Sequence, residues 1–96
     1  MEKTEMQMRK GQKMTTGIIE IDVHGMNVEE ALNSVAGQVS RAGNSVYRIR
    51  VIHGYHGGTR IRQSLREEFS YGREPRVKRI EMGQNQGITE LILREF

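Results

Sequence analysis

The stretch Val46-Tyr47-Arg48-Ile49-Arg50-Val51-Ile52-His53-Gly54 decides the fold. Its β-branched residues alternate with polar ones, the period of a strand with one buried face. It runs into a glycine-rich turn, Tyr55-His56-Gly57-Gly58, and then a helix from about Thr59 to Tyr71. Ile61, Leu65 and Phe69 form that helix's apolar stripe at i, i+4 and i+8. Gly72 and Pro75 close it.

Upstream, Gly17-Ile18-Ile19-Glu20-Ile21-Asp22-Val23 predicts a strand that ends at His24-Gly25. Asn27 and Glu30 form a capping-box pair that opens a first helix. Val28, Ala31, Leu32, Val35, Ala36 and Val39 give it one apolar stripe, and Gly43 is placed to stop it in the left-handed conformation. Downstream, Arg76 to Met82 and Ile88 to Arg94 read as two strands joined by the turn Gly83-Gln84-Asn85-Gln86-Gly87. The order is β-α-β-α-β-β. It predicts an α/β two-layer sandwich, a four-stranded mixed sheet with both helices on one face. The first three strands should be parallel where they neighbour one another.

With 96 residues the chain has room for one domain. Residues 1–16 hold four of the six methionines and show no period, and they read as a mobile basic tail before a domain at 17–96. No cysteine is present, which excludes disulfides and thiolate chemistry and fits a reducing, cytoplasmic setting. No apolar run approaches a membrane span, and a monomer is the favoured state. The net charge of +3 permits a nucleic-acid partner without demanding one. Eleven of the fifteen basic residues are arginine, whose planar fork matches phosphate oxygens.

The only aspartate, Asp22, and all three histidines, His24, His53 and His56, fall at or just beyond the carboxyl ends of the first two predicted strands. Ligands of open α/β sheets bind in the crevice beyond those ends. Neighbouring strands would bring Asp22, His24 and His53 to one patch. An Asp two residues before a His can orient its imidazole, the side chain best matched to proton transfer near neutral pH. A single histidine at a strand end is more often structural, so the repetition of His-Gly carries the argument. Gly54, Gly57 and Gly58 precede a helix N-terminus, where unpaired amides attract anions. Arg60, Arg62 and Arg66 follow in that helix. The turn has neither the Walker spacing nor the dinucleotide one. His-x-x-His across it matches no zinc spacing, so no resident metal is expected, and an assisting Mg or Mn ion stays open.

The pieces Ile21-Asp22-Val23-His24-Gly25 and Val51-Ile52-His53-Gly54, with the glycine turn and Arg62, resemble the two signature motifs of the Smr (small MutS-related) domain family. Those motifs are usually written L-D-L-H-G and H-G-x-G. Gly87-Ile88-Thr89-Glu90-Leu91 resembles the family's closing strand. The chain departs from the pattern at His56, which stands where the second motif has its last glycine. The resemblance implies a β-α-β-α-β-β sandwich and an endonuclease that nicks DNA or cleaves RNA. It implies Asp22 and His24 as the cleaving pair with His53 beside them. Gly25, Gly54, His56, Gly57, Gly58, Arg60, Arg62 and Arg66 would then face phosphate. The alternative is a module that binds nucleic acid, or docks on a ribosome or repair enzyme, without cleavage.

Overall fold

The computed structural model describes residues 12–55, 58–70 and 73–94. The elements run β1 (Gln12–Thr15), β2 (Ile18–Asp22), α1 (Val28–Arg41), β3 (Arg48–Ile52), α2 (Gly58–Phe69), β4 (Arg79–Met82) and β5 (Ile88–Ile92). The sheet order is β1-β2-β3-β5-β4. β2 and β3 pair in parallel across the α1 crossover, and β4 and β5 form an antiparallel hairpin. From β2 onward this is the β-α-β-α-β-β order read from the sequence. β5 also pairs antiparallel with β3, so it lies between β3 and β4.

The fifth strand is an addition. β1 pairs antiparallel with β2, Gln12 opposite Ile21 and Thr15 opposite Ile18. It falls in the segment that the sequence reading assigns to a tail. Gln12-Lys13-Met14-Thr15 carries no apolar alternation. An edge strand needs only backbone pairing on one side, and periodicity does not report that. Residues 1–11 lie outside the described residues.

One face of the sheet carries the core. Ile19, Ile49 and Leu91 stand side by side across β2, β3 and β5, with Ile21 and Val51 in the next row. Ala31, Val35 and Val39 from α1 and Ile61, Leu65 and Phe69 from α2 join the same buried cluster. Both helices therefore cover this face. The expected capping box is present in α1: Glu30 N–H donates to Asn27 Oδ1 at 2.8 Å, and Asn27 N–H donates to Glu30 Oε1 at 3.2 Å. Two details differ from the sequence reading. Gln38 is buried in α1 while Ala36 is exposed. The helix does not end on a left-handed Gly43; Ala42 turns extended at φ −65° and ψ 128°, and a turn in which Val46 N–H donates to the Gly43 carbonyl at 3.1 Å leads to β3.

The other sheet face is ionic at its centre. Glu20, Arg50 and Glu90 occupy one row across β2, β3 and β5. Arg50 Nε donates to Glu90 Oε2 at 2.8 Å, and Arg48 donates to the other oxygen of the same carboxylate. Glu90 is only 3% exposed, so two guanidinium groups balance one buried carboxylate.

Candidate active site

The carboxyl ends of β2 and β3 and the amino end of β5 meet at one end of the sheet. There the backbone makes a tight corner. The amides of His53 and Gly54 both donate to the Gly87 carbonyl, at 2.9 and 3.0 Å. Gly25 and Gly54 have φ of +83° and +84°, a region that side-chain-bearing residues rarely adopt. Each His-Gly step thus bends the backbone out of its strand line immediately after its histidine.

The structure joins Asp22 to His24. Asp22 Oδ1 accepts the His24 backbone N–H at 3.1 Å and lies 2.5 Å from His24 Nδ1. A carboxylate can only accept, so the Nδ1 proton belongs to this bond and Nε2 is left as the outward basic nitrogen. The His24 side chain is 69% exposed and Asp22 36%. His24 also faces the second His-Gly corner, since a Cβ at Gly54 would lie 3.6 Å from His24 Cβ.

His53 has a different environment. Its side chain belongs to the helix-covered face, and the residue is 1% exposed. Nδ1–H donates to the Gly54 carbonyl at 3.0 Å, and Nε2 accepts from Thr89 Oγ1 at 2.8 Å. No hydrogen bond or ion pair joins it to Asp22 or His24 among the described residues. Burial lowers its pKa from the ordinary histidine value, the bond to the Gly54 carbonyl opposes this, and the Arg62 charge lowers it further. His53 is therefore a neutral interior residue at neutral pH.

The separation follows from strand parity. Successive side chains alternate between sheet faces. His53 continues the inward series Ile49, Val51, whereas Asp22 continues the outward series Ile18, Glu20. The residue level with His53 in β2's inward series is Val23, which is fully buried. The alternation that separates them is visible in the sequence. Thr89 enters the sequence reading only as part of the closing strand, and its role as the partner of His53 does not emerge there. A threonine on the core face, opposite Val51, is the mark that could reveal it.

The arginines divide as well. Arg62 lies near enough to His53 for its charge to lower that pKa. Arg60 instead lines a shallow groove with Val28, Gln63, Ser64 and Glu67. Arg66 is exposed one turn beyond Arg62. Gly58 opens α2, and His56 and Gly57 lie outside the described residues. Met26 and Tyr55 are exposed in the two loops beside the Asp22–His24 pair.

No group of three or more His, Asp or Glu side chains converges on a metal position among the described residues. One carboxylate and one imidazole do not build a protein cage. An assisting divalent ion held through Asp22 would take its remaining ligands from water and phosphate, as Mg commonly does. Among the described residues, no helix is long and apolar enough to cross a membrane.

A family model described as the Smr domain matches residues 21–89. The crystal structure of the Smr domain of Thermus thermophilus MutS2 is similar at 30% identity, covering 79% of this chain and 98% of that one, with a TM-score of 0.68. No curated protein sequence gives a significant match.

Proposed function

The chain belongs to the Smr domain family, and on that premise we propose that it is a nucleic-acid-binding endonuclease that cleaves phosphodiesters of DNA or RNA at the Asp22–His24 pair. The observation that carries this reading is the 2.5 Å contact between Asp22 Oδ1 and His24 Nδ1 on an exposed corner. Asp22 holds the imidazole in the tautomer whose Nε2 faces solvent. It also stabilises the imidazolium that forms when Nε2 takes a proton from the attacking hydroxyl, either water or a ribose 2′-OH. As the bond to phosphorus forms and the P–O bond to the leaving nucleoside oxygen breaks, charge grows on the phosphate oxygens, and the leaving oxygen takes up a proton from the imidazolium or from water. In this reading Arg62 and the amides at the start of α2 would stabilise that charge.

His53 has a positioning role in this reading. Its bonds to Thr89 and to the Gly54 carbonyl hold the second His-Gly corner against β5. The corner in turn abuts His24. Cleavage of supercoiled plasmid and of structured RNA, with and without Mg or Mn, tests the proposal. Activity on either polymer that is lost in His24→Ala protein supports it, and binding without cleavage on both favours the non-catalytic alternative.

A further inference from the structure

At the opposite end of the sheet from Asp22 and His24 lies a cleft of about 260 Å³. Its walls include Asn44, Pro75, Arg76, Lys78, Leu93 and Arg94. Three of these are cations and none is a carboxylate. Arg94 donates to Asn44 Oδ1 at 2.6 Å, which fixes the guanidinium at the cleft without neutralising it. Glu74 stands outside the lining. Its Oε2 accepts the Arg76 backbone N–H at 3.0 Å and sits 3.7 Å from the Arg76 guanidinium. Lys78 and Arg94 have no carboxylate partner among the described residues.

Ordinary structural roles do not account for this set. α1 and α2 both end toward this pole, and the partial negative charge of helix C-termini attracts cations. That explains Arg41 and Arg66, which lie in the last turns. It does not explain Arg76 and Lys78, which lie in the connection before β4, or Arg94, which follows β5. Within the sheet the arginines are paired: Arg48 and Arg50 share Glu90, and Arg79 pairs with Glu81. Setting the unpaired Lys78 and Arg94 beside Arg76, whose single partner is Glu74, around one concave surface has an electrostatic cost unless an anion enters.

We propose that this cleft is a second phosphate-binding site, which grips the backbone of the same nucleic acid at a distance from the scissile bond. The inference rests on the nucleic-acid reading above. The five residues of β3, at about 3.3 Å each, separate the two poles by roughly 17 Å. That is on the order of five nucleotide steps at about 3.4 Å. Contacts of its cations with phosphate would add affinity and register rather than sequence readout.

The test is fluorescence anisotropy with the full chain, using a labelled single strand of about 20 nucleotides and a duplex of about 20 base pairs, across a salt series. Arg76→Gln/Lys78→Gln protein should bind about tenfold more weakly at about 100 mM salt, with a log–log salt slope shallower by about 1.4 on the single strand and about 1.8 on the duplex. Lys78→Glu alone alters one exposed side chain and should weaken binding in the same direction. Variants that keep the wild-type affinity and slope overturn the second site while leaving the Asp22–His24 reading intact. A wild-type chain that binds neither polymer overturns both.

Discussion

The imidazole of His53 and the hydroxyl of Thr89 meet 2.8 Å apart inside the fold, on the helix-covered side of the sheet. The Asp22–His24 pair belongs to the other side. One His-Gly step supplies a surface base and the other an interior clamp, although the two dipeptides look alike in sequence.

Burial of His53 makes stability depend on pH. Its folded pKa is lowered below the ordinary value of 6.5, so the unfolded chain binds the extra proton first as pH falls. Stability should be full above about pH 7 and decline as pH drops through about 6.5 toward the folded pKa, levelling off below it. Urea midpoints between about pH 7.5 and 5 measure this. His53→Gln protein should lose most of the slope; an unchanged slope would show that another group is responsible.

Thr89→Val removes the hydroxyl that donates to His53 Nε2 and leaves a buried acceptor unpaired. The expected cost is about 1–3 kcal/mol, with Thr89→Ser restoring most of it. Equilibrium unfolding of the three proteins checks the order.

Glycine substitutions should separate by position. Gly54→Ala introduces a Cβ at φ +84° and 3.6 Å from His24 Cβ. It should cost about 1–3 kcal/mol and disturb the Asp22–His24 geometry. At Gly43 a Cβ would meet nothing within 4 Å, and the backbone there has no positive φ. Gly43→Ala should be neutral or stabilise by up to about 1 kcal/mol. Thermal melts of both variants decide the matter, and equal destabilisation would contradict the backbone account.

Much of this architecture is legible in the chain. The alternation of Ile49, Val51 and their polar neighbours, the Asn27–Glu30 box and the helical stripes depend on local periodicity, and local periodicity survives in sequence. β1 is not legible, because a polar edge strand is defined by the neighbour it pairs with. The insertion of β5 beside β3, which creates the Arg48–Glu90–Arg50 cluster, is likewise a long-range pairing with no local mark. The site is half legible. Placing Asp22 beside His24 needs only their spacing. Assigning His53 to the same patch neglects which face its strand parity selects.

Cleavage kinetics of Asp22→Asn and His24→Ala protein, on the polymer the wild type cuts, test the central claim most directly. An amide at position 22 keeps the shape but carries no charge to hold the imidazole orientation firmly or to stabilise the imidazolium. Both variants should lose about 10²–10⁴-fold in cleavage rate while binding nucleic acid within a few-fold of wild type and remaining folded. Cleavage that continues at the wild-type rate in both would contradict the assignment of this pair as the active site.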